Sequence, residues 1–278
     1  MRTWIITGVS SGFGYEITKQ LLAKDERVIG TILKESDREK ISDFLQNTNF
    51  EAPILDVTDI TRTQKIVDEV AEKYGRIDVI VSNAGYGLFG AAEELSMPEA
   101  EKIIATNLTG SIAFIKAVLP HMRKQGGGRI IQISSYGGQV AYPSNSLYHA
   151  TKFGIEGFCE SLAQEVAKYN IGVTIVEPGG ARTEFRYGSA HVANLMPEYE
   201  HVHDFLNMLD KSKGLAPGDP AKMASRIIES ANQNPAPLRI VLGSQALKAT
   251  IERLEERVAD YKTQTELAAS TDFVEESE

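Results

Sequence analysis

The chain has 278 residues, of which 42% are hydrophobic and 24% charged, with a net charge of −9. That make-up fits a globular protein with a large core, and the acidic balance gives no support to nucleic-acid or membrane-surface binding. A single cysteine, Cys159, excludes an internal disulfide and a cysteine-rich metal site.

From the amino terminus, Arg2 to Thr7 (RTWIIT) is a β-branched and aromatic run fit for a buried strand. It breaks into Thr7-Gly8-Val9-Ser10-Ser11-Gly12-Phe13-Gly14, after which Ile17, Leu21 and Leu22 recur at helical spacing. Strand, glycine-rich turn and helix make the first unit of a dinucleotide-binding fold. The backbone approaches a pyrophosphate where side chains are absent, and the helix amino end offers free N–H groups and a positive dipole. The G-x-x-x-G-x-G spacing lacks the Gly-Lys-Ser/Thr of an NTPase loop, which argues against phosphoryl transfer.

Further strands are predicted at 27–33, 51–55, 79–82, 129–133, 172–177 and 238–242. Helical patterns fall at 15–25, 36–47, 61–74, 98–125, 145–169 and 219–232. This alternation predicts a parallel sheet with helices on both faces, a doubly wound, Rossmann-type α/β fold, with 1–250 as one domain. Gly126-Gly127-Gly128 stops the helix before the fifth strand. Residues 184–217 show no strand pattern, and an insertion of that length reads as a polar, mobile lid over a site. His201-x-His203 within it has no third ligand at a diagnostic spacing, so no metal site is assigned. Residues 251–278 hold a charged helical pattern and a tail that, after Lys262, has five acidic residues and no basic one. No apolar run approaches a membrane span, and the early first strand leaves no room for a signal peptide. A cytoplasmic protein is the default expectation.

Tyr148 and Lys152 stand four residues apart in SLYHATKFG, just over one helical turn, so phenol and ammonium project from one face. A positive charge within ~4–6 Å favours phenolate and lowers the phenol pKa by roughly 1–3 units, toward the range useful for proton transfer. Taken alone, the pair reads equally as a solvated helix face. Ser135 lies thirteen residues upstream. His149, one residue on from Tyr148, is turned about 100° away from the shared face. Cys159 falls on the apolar side of the helix, as a buried thiol does.

TGVSSGFG, Ser82-Asn83-Ala84-Gly85, Asn107, Ser135, the YHATK box and Pro178-Gly179 fall in order along one chain. With this set, roughly residues 1–245 resemble the short-chain dehydrogenase/reductase family. The resemblance implies an NAD(P)(H)-dependent oxidoreductase that interconverts a carbonyl and an alcohol without a metal. It implies Tyr148 as general acid in reduction and base in oxidation, and Ser135 as the hydrogen-bonding partner of the substrate oxygen. Lys152 would lower the phenol pKa and hold the nicotinamide ribose, and Asn107 would anchor a water linking Lys152 to solvent. Cofactor contacts are implied for Gly8, Ser10, Ser11, Gly12, Phe13 and Gly14 in the turn, and for Asp56 and Val57 near the adenine. Asn83, Ala84 and Gly85 would lie beside the adenosine ribose, with Pro178, Gly179, Ala181 and Thr183 beside the nicotinamide. Read from the residues alone, Asn107 serves equally as a helix-kink residue, Ser134 or Ser135 as a strand end, and Asp56 as a helix cap.

Dinucleotide folds selective for NAD place an acid at the tip of the second strand to hold the ribose 2′-hydroxyl. Here Ile32 and Leu33 occupy that region, and Lys34 and Arg38 follow, so NADP(H) is expected ahead of NAD(H), with Glu35 weighing the other way. Tyr136, Val140, Tyr142 and Phe185 suggest a small hydrophobic carbonyl or alcohol as substrate. The apolar helices at 98–125 and 145–169, carrying Ile112, Phe114, Val118, Phe153, Phe158 and Leu162, suggest a homodimer or homotetramer; in the resembled family the corresponding helices pair across a two-fold axis. Two rival functions stand beside the leading one. A catalytically silent NAD(P)-binding sensor uses the same fold, though the intact Ser–Tyr–Lys set speaks against it. A serine hydrolase built on Ser135 lacks the G-x-S-x-G elbow.

Overall fold

The structure, a computed structural model, describes residues 1–188, 190–210, 212 and 215–273. Its strands are β1 (Thr3–Ile6), β2 (Arg27–Gly30), β3 (Phe50–Glu51), β4 (Val79–Ser82), β5 (Leu88–Phe89), β6 (Gly128–Ile133), β7 (Ile171–Pro178), β8 (His191–Val192) and β9 (Arg239–Leu242). The helices are α1 (Gly12–Leu22), α2 (Ile60–Tyr74), α3 (Met97–Ile104), α4 (Ser111–Gln125), α5 (Ser146–Val166), α6 (Glu184–Tyr187), α7 (Phe205–Leu209), α8 (Pro220–Ser230), α9 (Ser244–Lys262) and α10 (Thr265–Ala269).

Seven strands form one sheet in the order β3-β2-β1-β4-β6-β7-β9, and every pairing in it is parallel. Strand period decides which side chain meets which helix layer. In β1, Trp4 and Ile6 enter the core shared with α1 and α8, while Ile5 between them enters the core shared with α2, α4 and α5. With both faces covered, the strands read as continuous apolar runs. The chain leaves β1 toward β2 on one side and returns to β4 on the other. That reversal opens a crevice at the carboxyl ends of β1 and β4, where ligands bind in doubly wound sheets.

Several local expectations give way to tertiary structure. The helix expected at 36–47 is a 3₁₀ segment, Glu35–Ile41, in which Asp37 and Ile41 are the buried residues; so little apolar surface does not hold a full α-helix against a core. The strand expected at 51–55 ends at Glu51, because Pro53 has no N–H to donate; pairing resumes as the isolated bridge Ile32↔Ile54. The helix at 98–125 is continuous but carries a π-helical segment at Ala105–Gly110. There Gly110 passes so close to β3's return loop that an added Cβ would lie 2.8 Å from the Val57 carbonyl oxygen. The stretch Met97–Gln125 also corrects the expectation that no segment reaches membrane length: by length and a hydropathy of 1.5 it would suffice. In this fold its apolar side is spent on the core, with Phe114, Ile115, Val118 and Met122 buried under the sheet.

Segment 184–217 departs furthest from its strandless expectation. Its β8 pairs in parallel with β5 (Leu88↔His191, Phe89↔Val192), and Phe205 stacks on Phe89 at 5.5 Å between ring centroids. Glu94 is the anchor: its carboxylate accepts from the backbone N–H of Ala91 and of Met196, both at 2.6 Å, and meets His203 Nε2 at 2.7 Å. Burial pushes the Glu94 pKa up, but these hydrogen bonds outweigh it and hold the carboxyl below its usual range. Of the acidic tail, residues 274–278 lie outside the described residues.

Candidate active site

A cleft of about 1220 Å³ runs across the carboxyl ends of the strands, from Lys34 at one end to Phe185 at the other. Its floor is the glycine turn. Gly8 (φ +74°) and Gly12 (φ +58°) adopt left-handed conformations that favour glycine, and a Cβ on Gly14 would stand 2.1 Å from the Gly8 carbonyl oxygen. Asn83 braces this turn: its Nδ2 donates to the carbonyls of Thr7 and Gly8, each at 2.9 Å. Thr7 Oγ1 in return accepts from the N–H of Asn83 (2.9 Å) and of Ala84 (3.0 Å). Helix α1 then begins at Gly12 without a side-chain cap on its N–H groups and without an acid in its first turn. Its orphan donors and positive dipole end face the cleft beside Ser10, Ser11 and Phe13, the arrangement that suits a pyrophosphate.

Gly8, Ser10, Ser11, Gly12, Phe13, Lys34, Asp56, Val57, Asn83, Ala84, Gly85, Pro178, Gly179, Ala181 and Thr183 all line this cleft, as do Ser135, Tyr148 and Lys152. Gly14 and Asn107, expected at the cavity, stand behind its wall. Asn107 lies in the π-segment, 1% exposed, with Nδ2 donating to the Tyr86 carbonyl (2.9 Å) and Oδ1 accepting from the Tyr86 N–H (3.1 Å). Both amide atoms are thereby committed to the backbone of a wall residue. Arg38 turns away to pair with Glu35 at 2.6 Å, and Val140 is also absent from the lining.

At the other end, α5 carries Tyr148 and Lys152 on one buried face, each 7% exposed. Lys152 Nζ donates to the Ile133 carbonyl at 3.0 Å and sits 5.6 Å from the centre of the Tyr148 ring. Ser135, two residues beyond the end of β6, accepts the Gly137 N–H on its Oγ at 3.0 Å and hydrogen-bonds to the Tyr148 phenol. The expected lowering of the phenol pKa by Lys152 is not what this burial produces. Desolvation raises the Tyr148 pKa, with the Ser135 hydrogen bond opposing, so the phenol holds its proton at neutral pH. Desolvation likewise pushes Lys152 down to about 8, against the pull of Glu156. Withdrawal from water disfavours both charged forms, and here it is the largest influence on each group.

His149 lies off the catalytic face, as its position in the helix predicts. Its Nδ1 donates to the Gly137 carbonyl (2.7 Å) and its Nε2 accepts the Tyr142 N–H (3.2 Å), which fixes the neutral tautomer; burial keeps its pKa low. It ties down the loop that carries Tyr136 and Tyr142 past Ser135. Sequence reasoning missed Asp37 and Lys40 near Lys34, and Tyr86 and Phe89 at the opposite wall, where His191 and Leu215 of segment 184–217 also stand. It also missed Asn145, which lines the cleft with a buried Nδ2 that has no hydrogen-bond partner among the described residues. Its place three residues before Tyr148, at the N-cap of α5, was the available signal.

A family model described as short chain dehydrogenase matches residues 2–191. Oxidoreductase BOA17 of Botryotinia fuckeliana is 35% identical over 248 residues, covering 89% of this chain and 90% of its own. Among solved structures, a short-chain dehydrogenase from Streptomyces avermitilis is 35% identical with a TM-score of 0.89, covering 98% of this chain and 99% of its own. ElxO, solved with NADP bound, is 27% identical with a TM-score of 0.74, covering 89% of this chain and 99% of its own. The agreement extends from the glycine turn through the helix that carries Tyr148 and Lys152. The chain belongs to the short-chain dehydrogenase family.

Proposed function

We propose that this protein is an NADP(H)-preferring oxidoreductase that interconverts a small hydrophobic carbonyl compound and its alcohol. The observation that carries the reading is the meeting of the Ser135 hydroxyl, the Tyr148 phenol and the Lys152 ammonium at one end of a cleft whose floor holds an uncapped helix terminus. The nicotinamide cofactor supplies the hydride in reduction and accepts it in oxidation. Tyr148 gives the substrate oxygen its proton, and Ser135 hydrogen-bonds that oxygen as charge develops on it. A phenol that retains its proton at neutral pH is ready as the acid for reduction. Lys152, held by the Ile133 carbonyl, keeps a positive charge close to the developing phenolate. The apolar wall of Tyr86, Phe89, Tyr142, Phe185 and Leu215 favours hydrophobic substrates. The test is a panel of ketones, aldehydes and alcohols followed at the nicotinamide absorbance; no turnover with any of them, beside tight cofactor binding, would favour a silent nucleotide-binding protein.

The Lys152 value sets a pH dependence. The ammonium is present below about 8 and lost above it. The rate of reduction at low substrate concentration is therefore expected to fall as pH rises through about 8, approaching tenfold per unit. Lys152→Met should abolish this limb along with most of the rate. A flat profile from pH 7 to 10, measured with a non-titrating substrate, would rule Lys152 out as the controlling group.

The phosphate preference rests on Lys34 and on Lys40, both at the cleft, and on the absence of an acid at Ile32. The solved ElxO complex with NADP supports the same choice. Asp37 opposes it, but its carboxylate is occupied by Lys40 Nζ at 2.9 Å and the Lys34 N–H at 3.3 Å. NADPH is expected to bind more tightly than NADH in calorimetric titrations. Lys34→Asp should weaken NADPH by about tenfold more than NADH, the worth of one exposed charge-assisted contact. Tighter binding of NADH to the wild type would reverse the assignment.

A further inference from the structure

Helix α9 leaves an apolar stripe without a partner among the described residues. Leu247, Ile251, Leu254, Val258 and Tyr261 are 47%, 47%, 39%, 50% and 65% exposed, large values for side chains of their type. They recur at alternating steps of four and three, the repeat of a helix–helix seam, and at about 100° per residue they fall within a band about 80° wide. The face that α9 turns to the body is a different one. Ala246 and Thr250 are buried there, and Arg257 donates to the Gln139 carbonyl at 3.2 Å. Between Ile251 and Lys262 only Arg257 is even half-buried, so most of the helix projects from the domain. A helix of this length is marginal in water unless its apolar face is covered.

We propose that this stripe is a two-fold interface with a second copy of the chain, in which two α9 helices pair antiparallel. The charges flanking the stripe choose both orientation and register. With Leu247 against Val258 and Ile251 against Leu254, the two-fold axis brings Lys248 of each copy beside Glu255 of the other. Shifting by one heptad would set Lys248 against Lys262 and Glu255 against its own copy. A parallel pair would set Arg257 against Lys262. Only the first arrangement combines apolar layers with opposite charges at their edge, and it does so twice by symmetry. A lipid surface is a poorer occupant, because α9 carries four basic and four acidic residues and so lacks the cationic excess of membrane-binding helices. Of the apolar residues expected to pair copies through α4 and α5, Phe114, Val118 and Leu162 lie in the core beneath the sheet, whereas Ile112, Phe153 and Phe158 are half-buried.

Light scattering of the full chain at micromolar concentration tests this. The wild type should have at least twice the chain mass of 30.5 kDa. Ile251→Asp with Val258→Asp should halve that mass while far-ultraviolet circular dichroism stays that of a folded protein. Lys248→Glu alone and Glu255→Lys alone should each raise the dissociation constant by about tenfold, and the two together should restore it. A wild-type mass of 30.5 kDa, with or without binding of the helix to phospholipid vesicles, would overturn the proposal. So would an unchanged mass in the aspartate variant, or a charge-swapped double variant no better than the singles.

Discussion

Tyr148→Phe is expected to lower the turnover number for carbonyl reduction by about 10²–10⁴-fold, the usual contribution of a positioned general acid. The affinity for the nicotinamide cofactor should stay within about twofold of the wild type, since the substitution removes no charge and no phosphate contact. The ring itself belongs to the packing: Tyr148 sits in an apolar cluster with Leu88 and Ile103, and its ring lies 5.8 Å from that of Phe185. Phenylalanine keeps those contacts. Ser135 loses its bond to the phenol but still accepts the Gly137 N–H, so the loop after β6 stays in place. The stability change should then be about 1 kcal/mol, the worth of one buried hydrogen bond. Steady-state absorbance measurements and cofactor calorimetry separate the two effects. Full turnover in Tyr148→Phe, on a substrate the wild type accepts, would remove the phenol from the mechanism.

The parts of the molecule legible in the sequence are those where a local requirement is severe. Gly8 and Gly12 need left-handed backbone, Gly14 needs the absence of a Cβ, and the run TWIIT is buried on both faces, so each leaves a mark in composition alone. Tyr148 and Lys152 are legible because one helical turn fixes their relation. Asp37 and Lys40 could not be found this way, because their approach to the cleft follows from a 3₁₀ segment where the pattern suggested an α-helix. Strand β8 pairs over only two residues, too few to show an alternating pattern, and its partner β5 is equally short. The buried anchor Glu94 reads in sequence as one of several surface acids. What hides it is that its ligands, Met196 and His203, come from about a hundred residues away.

The sign of the Tyr148 shift was illegible for a related reason. Spacing along a helix gives the distance between a phenol and an ammonium, but not how much water either has lost. Burial decides here, and burial is a property of everything packed around α5: β6, the loop after it, and segment 184–217. The same limit applies to the residues behind the site, where charges far apart in sequence meet in the core.

Arg239→Met is expected to destabilise the fold by about 3–5 kcal/mol at neutral pH, the loss typical of stripping the partner from buried charges. Arg239, on the edge strand β9, meets Glu156 at 2.6 Å, Glu160 at 2.9 Å and also Glu177. Burial alone would lower the guanidinium pKa, but the hydrogen bonds to these carboxylates outweigh it and raise it. Glu156 and Glu177 are 2% and 1% exposed, so methionine would leave two carboxylates side by side with little water to screen them. Glu177 already has a raised pKa, from burial first and from Glu156 second, with Arg239 pulling it back. A carboxyl whose folded pKa lies above its unfolded value favours the fold most when protonated, and that stability is lost as pH rises through the folded pKa. Removing Arg239 raises the folded pKa further. The deficit of the variant should therefore be largest at about pH 8 and shrink toward about pH 5, as Glu177 takes up a proton. The consequence reaches the active site, because Glu156 also accepts the Ser134 hydroxyl at 2.5 Å and the Gln139 amide, and so holds both ends of the loop that contains Ser135. Urea unfolding of wild type and Arg239→Met across this pH range makes the measurement. A deficit below about 1 kcal/mol, or one that does not change with pH, would show that Glu156 and Glu177 are not held by the arginine.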